Sequence, residues 1–354
     1  MRVNRRRRAA ALMLAAASAT AVLAACSSPA PGTRPGGPHY TVGPGIPPRA
    51  PQPMLPTAPA WAPTTEQTEA GIKTLSVTVL GTDVTVPTQL AAGTYVVQVS
   101  TPDPHDNGTV QVARPGDGLT REKFLRLQKE AQPPSEDDVA AFRAAYRRWR
   151  TSATFLGGGT AQPTRVKGNV RNPTPGGVGT FAVTLEPGRY WFYAGYGGMA
   201  YGAAGSIREV TVSGPVEDAT SSLPVVADVQ FSPTPLDVPV QMPAVIPQRG
   251  FLRATGAPGY VGTLGLASLA ADVTDAELAD RRTCSVGDNP SRLPVRNCFT
   301  SVGNIEFLGG VSAGHAAYWY YDLPPGDYAA SQLTGDGWME SPNFWGVYAR
   351  VRVQ

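Results

Sequence analysis

LEPGRYWFYAGYGGM (Leu185–Met199) and LPPGDYAASQLTGDGWM (Leu323–Met339) write one phrase twice: Leu, any residue, Pro-Gly, any residue, Tyr, then a Met a few positions on. Pro fixes φ and Gly accepts positive φ, so each phrase predicts a tight turn that delivers its Tyr to a strand at the edge of a β-sandwich. Many sandwiches carry one such corner. Two in one chain raise the question of a duplication.

Other landmarks answer it. LSVTVLGTDVTVP (75–87) alternates apolar and polar residues, and GTYVVQVSTP (93–102) adds a second strand. Phe155-Leu156-Gly157-Gly158, read as a turn, returns as Phe307-Leu308-Gly309-Gly310, and the closing strand REVTVSG (208–214) as GVYARVRV (346–353). Gly93 to Phe155 spans 62 residues and Gly250 to Phe307 spans 57, with the corner and closing strand following in the same order. Ordered landmarks at matched spacing are the mark of an internal repeat. The expected fold class is all-β: tandem sandwiches over 74–214 and 225–354 with short helical inserts.

Composition agrees. The 354 residues include 39 Gly and 35 Pro, while 42% are hydrophobic and 16% charged, enough apolar matter for folded cores between many turns. The inserts are TREKFLRLQKEA (120–131) and a helix opened by Ser135-Glu136-Asp137-Asp138, whose Val139, Phe142, Tyr146 and Trp149 share one face. VTDAELADRR (273–282) is their shortened counterpart in the second copy.

The first 26 residues, MRVNRRRRAAALMLAAASATAVLAAC, give a basic start, an apolar run and small residues, which predicts a secretory signal over 1–25. Leu23-Ala24-Ala25-Cys26 resembles the lipobox of bacterial lipoproteins, which implies cleavage before Cys26, acylation of that residue, and an exported protein held to the membrane by its N-terminal lipid. Several acyl chains anchor durably where one is marginal. Ser27 in place of Asp is compatible with an outer-membrane or cell-surface destination. Residues 26–73 form a Pro-rich spacer in which Tyr40 and Trp61 either dock on something or lie solvated. The formal charge of +3 loses its meaning once Arg2 and Arg5 to Arg8 leave with the signal, since 25 basic residues then face 27 acidic ones, a net of −2. No basic field for nucleic acid remains.

Cys284 and Cys298 flank CSVGDNPSRLPVRNC, and in an exported chain a disulfide is the expected state, contributing roughly 3 kcal/mol for a loop of this size. With Cys26 acylated, no odd thiol is left.

The order of strand, Gly-Thr-Tyr strand, His-bearing turn, helical insert, Leu-x-Pro-Gly-x-Tyr corner, Met and Val-rich closing strand resembles cupredoxin-like domains. In their copper-binding members the residue four beyond the Tyr is the thiolate ligand, followed by a His and a Met. Here those positions are Ala194 and Gln332, and no His follows. His105 in TPDPHDNG stands where the resemblance places the first copper His, and Met199 and Met339 stand near the axial position. The resemblance therefore implies Greek-key sandwiches without a type 1 centre. It leaves His105 with Met199, supplemented by His315 or His39, as the remaining candidate copper ligands.

Other templates are missing: three His are too few for clustered imidazole sites, and no P-loop, dinucleotide fingerprint or Gly-x-Ser-x-Gly occurs. The aromatic runs YWFYAGYGGMAY (190–201) and YWYY (318–321) put more rings on a strand than one face can bury. Either Tyr190, Trp191, Tyr193, Tyr196, Trp319 and Tyr320 supply an outward interface, or both faces are covered by the protein itself. The expected function is a non-catalytic binding or structural component of a cell-envelope complex, without a cofactor and with other envelope proteins as partners. The alternative is a copper-binding redox protein handling copper or dismutating superoxide.

Overall fold

Strict alternation in Lys73–Leu80 buries Leu75, Val77 and Val79 while Ser76 and Leu80 face solvent, whereas central strands such as Gly93–Ser100, Gly108–Pro115 and Gly262–Ser268 are buried on both faces in continuous runs. A computed structural model describes residues 61–354 apart from 103–107, 132–138, 162–164, 167–168, 171–178, 196–203, 234–237, 259–260, 281–283, 285–297, 299–307 and 334–346. Residues from 61 onward belong to one compact unit. The expected helix start at Ser135–Asp138 lies outside the described residues, as do the signal, Cys26 and most of the spacer.

The first copy contains β1 (Lys73–Leu80), β2 (Asp83–Thr85), β3 (Gln89–Ala91), β4 (Gly93–Ser100), β5 (Gly108–Pro115), β6 (Ala153–Ala161), the small hairpin of β7 (Arg165–Val166) and β8 (Asn169–Val170), β9 (Gly179–Leu185), β10 (Gly188–Ala194) and β11 (Arg208–Ser213). The second contains β12 (Val225–Gln230), β13 (Val245–Ile246), β14 (Arg249–Thr255), β15 (Gly262–Ser268), β16 (Leu308–Val311), β17 (Ala316–Asp322), β18 (Gly326–Leu333) and β19 (Ala349–Val353). Helix α1 (Thr65–Glu69) precedes β1, α2 (Arg121–Glu130) and α3 (Val139–Arg150) lie between β5 and β6, and α4 (Asp275–Ala279) follows β15. Among the described residues the two copies share one strand order, and the protein is an all-β tandem of Greek-key sandwiches with short helices.

The copies do not sit as two beads. One sheet runs β12-β14-β17-β9-β4-β1-β2 and the other β13-β19-β18-β15-β16-β6-β5-β10-β11-β3. Replace each second-copy strand by its counterpart and both orders read the same from either end, apart from the extra β2. A pseudo-twofold axis therefore crosses both sheets where β9 meets β17 and β6 meets β16. In the first of these antiparallel pairs Phe181 faces Trp319. With the two Leu-x-Pro-Gly-x-Tyr phrases aligned, these are equivalent residues pairing with each other, as an isologous contact requires.

The second crossing explains the repeated Phe-Leu-Gly-Gly. Phe155–Gly158 and Leu308–Gly310 are strand at the seam, not the turn expected from the glycines. Val311 pairs with Leu156, and a Cβ at Gly309 would come within 2.5 Å of the Gly158 Cα and 2.8 Å of Gln111 Oε1. The backbones of the two copies meet too closely for side chains. Gln111, fully buried, stitches the contact: its Nε2 donates to the carbonyls of Gly157 (2.6 Å) and Gly310 (3.0 Å), and its Oε1 accepts from Gly310 N (2.7 Å). One apolar core runs through both copies, from Val97, Phe181 and Leu156 to Leu252, Leu264 and Trp319.

The corners behave as the sequence implies. Tyr328 donates its hydroxyl to the Pro324 carbonyl four residues back (2.9 Å), and Tyr190 bonds the backbone of Glu186 in the same way. The glycines that open β4, β14, β10 and β18 share one backbone state, with φ of +138° at Gly93, +151° at Gly250, +152° at Gly188 and +159° at Gly326. A side chain is strained there, so glycine is kept at all four corresponding points.

Because both sheets cross the seam, the copies should unfold together. Gln111→Leu takes the amide donor from the buried carbonyls of Val112, Gly157 and Gly310 and the acceptor from Gly310 N, each group left unpaired costing on the order of 1–3 kcal/mol. The expected outcome is a urea midpoint lowered by a few kcal/mol in ΔG, with fluorescence and far-ultraviolet circular dichroism still reporting one coincident transition.

Candidate functional site

Where the resemblance places a copper thiolate, β10 ends on the buried methyl of Ala194. Its counterpart Gln332, near the end of β18, is also buried. Ser232 N donates to its Oε1 (2.6 Å), and its Nε2 donates to the Ser232 carbonyl (2.9 Å). Both halves of the amide are thus engaged by one backbone unit, as a neighbouring strand would engage it. A methyl and a committed amide cannot supply the short Cu–S bond of a blue copper site. These residues do not fit that group. His105, Met199, Met339 and His39 lie outside the described residues. His315, the other proposed helper, sits exposed in the turn between β16 and β17, its N–H donating to the Ser312 carbonyl (3.1 Å). Among the described residues, no three His, Cys, Asp or Glu side chains gather as metal ligands would.

The aromatic runs are covered by the protein itself. Tyr190 points into the shared core, while Trp191 and Tyr193, on the other face of β10, pack beneath the helical insert against Phe124 and Trp149. Thr120 caps α2 by accepting from Lys123 N, which turns Phe124 inward. Trp319 lies on the seam at 0% exposure. Tyr190, Trp191, Tyr193 and Trp319 are therefore not the outward interface that the ring density suggested, because helices blanket the second face of β10. Tyr320 is half-buried beside Phe251, and Tyr196 lies outside the described residues. Trp61 also finds its partner within the chain: its ring meets Phe251 edge-on at 5.0 Å, and its carbonyl accepts from Gln98 Nε2.

What remains open is a cleft of about 640 Å³ on the seam, between the corner end of the first copy and the β16–β17 turn of the second. Leu156, Val183 and Tyr190 give it apolar wall, and the half-buried Tyr318 and exposed His315 come from the second copy. Arg114 lies over the Tyr190 ring and reaches Glu186 Oε2 at 3.0 Å. Burial pushes the Tyr190 hydroxyl up, with Arg114 opposing. Asp218, on the segment joining the copies, is held through one oxygen: Oδ1 accepts from Thr220 N (3.0 Å), Thr184 Oγ1 (3.3 Å) and Thr94 Oγ1 (3.5 Å). The Thr220 N–H leads in holding its carboxyl below the usual range.

Sequence reasoning found neither Gln111 nor Asp218. Gln111 carried a signal, a lone amide in the strand GTVQVARP whose neighbours are apolar. Asp218 carried none, because its partners Thr94 and Thr184 lie more than thirty residues away in sequence.

The second copy has a charged ladder at its far end, where Asp327 pairs with Arg352 (2.9 Å) and Arg350 (3.5 Å), and Arg350 also pairs with Asp275. Beneath it Cys284 and Cys298 form a disulfide with Cα atoms 5.4 Å apart, buried against Leu278 and Tyr348.

No family model matches the chain, and no curated protein does. Among solved structures, auracyanin B is 16% identical over 36% of this chain and 86% of that one, with a TM-score of 0.21. A blue copper oxidase from Nitrosomonas europaea is 10% identical over 80% and 85%, with a TM-score of 0.19. A multi-copper oxidase from Pediococcus acidilactici is 8% identical over 80% and 59%, with a TM-score of 0.20. Likeness at these scores carries no argument about function.

Asp218 and Asp327, the latter lowered chiefly by the Arg352 hydrogen bond, both have folded pKa values below the ordinary Asp value of about 3.9. Each stabilises the fold fully above that value and loses its contribution as pH falls through the lower folded pKa. Urea midpoints should therefore drop between pH 5 and pH 3, and the drop should shrink in Asp218→Asn and Asp327→Asn.

Proposed function

We propose that this protein is a non-catalytic, lipid-anchored component of the cell envelope that works by binding. The observation that carries the reading is the pair Ala194 and Gln332. The two positions from which a cupredoxin-like domain offers its sulfur hold a methyl packed in the core and an amide closed onto Ser232. A site on its way to losing a metal by chance would be left with loosely placed polar groups. Here the space serves packing and backbone bonding instead. The lipobox-like Leu23-Ala24-Ala25-Cys26 supports the anchoring, and the Pro-rich stretch after it would hold the folded part away from the lipid surface.

Copper handling is the competing reading, through His105 with Met199, and it is favoured only by the cupredoxin-like element order. Copper loading of purified protein followed by elemental analysis separates the two. The expected outcome is less than a tenth of an equivalent retained after dialysis and no change in His105→Ala. One tightly held equivalent that disappears in His105→Ala would overturn the binding reading. Anchoring has its own test. Cys26→Ala should abolish incorporation of an alkyne-labelled fatty acid and move the protein from the membrane fraction to the soluble one.

A further inference from the structure

We infer that the seam cleft binds a short glycan chain carrying no acidic group. The inference rests on the reading of the protein as a binding component and names its ligand class. The cleft, at about 640 Å³, lies within the span of roughly 300–1,000 Å³ typical of small-molecule sites. Its chemistry is mixed in a specific way. Apolar wall from Leu156 and Val183 and the half-buried ring of Tyr318 alternate with fixed planar polar groups, the guanidinium of Arg114 and the carboxylates of Glu186 and Asp218. A pyranose has the matching surface: an apolar C–H face for an aromatic ring, and hydroxyls round its edge that pair with planar two-toothed groups.

Those polar groups are already in place. Arg114 is pinned between Glu186 and the Tyr190 ring, and Asp218 is anchored through Oδ1 by three donors. The remaining rim is hydroxyl-rich, with Thr154, Thr184 and Thr220 lining the opening. Charge decides which glycans fit. Asp117, Glu186 and Asp218 outnumber Arg114, the one Lys or Arg side chain among the described lining residues. A phosphate, sulfate or uronate would meet net negative charge, whereas a neutral or amino sugar would not. The site needs both copies: Tyr318 and His315 come from the second, while the polar groups come from the first and from the joining segment.

The full-length protein in detergent micelles, tested on an array of neutral, amino and acidic oligosaccharides and then by calorimetry with the best-retained trisaccharide, decides the matter. Neutral or amino oligosaccharides should be retained and their uronate or sulfated counterparts rejected. Tyr318→Ala should weaken binding about tenfold, the loss of one ring contact with its area, while Tyr318→Phe keeps it. Asp117→Asn with Asp218→Asn should let acidic oligosaccharides bind. The inference is overturned if no oligosaccharide is retained, if acidic ones bind the native protein best, or if Tyr318→Ala binds as tightly as wild type. If instead a protein is captured from solubilised envelopes in a manner indifferent to added oligosaccharide and to Tyr318→Ala, the glycan inference fails while the binding reading stands.

Discussion

Everything in this molecule depends on two antiparallel strand pairings across one pseudo-twofold axis. A sandwich with open edges at β6 and β9 would present unpaired N–H and C=O groups, an invitation to pair with other chains. The duplicated copy consumes both edges at once: β9 finds β17 and β6 finds β16. Close approach at the second pairing demands Gly158 and Gly309, and the short ladder there is reinforced by the buried amide of Gln111. The outcome is one core, because the inner faces of the fused sheets belong to both copies together.

Fusing the sheets leaves two long outer faces, and the copies cover them with different materials. Over the ten-stranded sheet, the first copy lays α2 and α3 on Trp191 and Tyr193, where a large aromatic surface needs a large cover. The equivalents of those rings in the second copy are Ala329 and Ser331, and among the described residues Leu278 of a five-residue helix, the Cys284–Cys298 disulfide and Tyr348 pack beside Ala329. Small side chains lower the apolar area to be hidden, and a covalent bond holds a segment too short to hold itself. Over the seven-stranded sheet, the end of the Pro-rich spacer and the segment joining the copies close the centre, with Trp61, Ala219 and Leu223 gathered on Phe251.

The sequence carried the repeat, the corners, the strands and the disulfide because each is written locally: a turn former at fixed distance from a Tyr, a period of two, a pair of cysteines. It could not carry the seam. Nothing local distinguishes a glycine needed for a turn from one where an added Cβ would come within 2.5 Å of another backbone, so the glycines of Phe155–Gly158 and Leu308–Gly310 read as a turn and lie in strands. The aromatics misled for a related reason. Alternation correctly puts Trp191 and Tyr193 opposite Tyr190, but whether that second face meets water or helix is settled by α2 and α3, more than forty residues upstream. The cleft was illegible because its walls come from five separate segments, and the seam adds Tyr318 of the second copy to Arg114, Glu186 and Asp218.

A homodimer repeats every substitution on both sides of its axis, whereas a fused chain is free to make each change once. Gln111 corresponds to Gly265, so a single amide ties both copies without a second one at the mirrored site. Ala194 corresponds to Gln332, and only the second copy needs an amide to hold the Ser232 backbone. The cleft has the same lopsided character, since the corner of the first copy faces the β16–β17 turn of the second. Such a site cannot arise within one sandwich, nor in a symmetric pair without also arising twice. The loss of symmetry at the axis is therefore where this fold gains a one-sided cleft that neither copy makes alone.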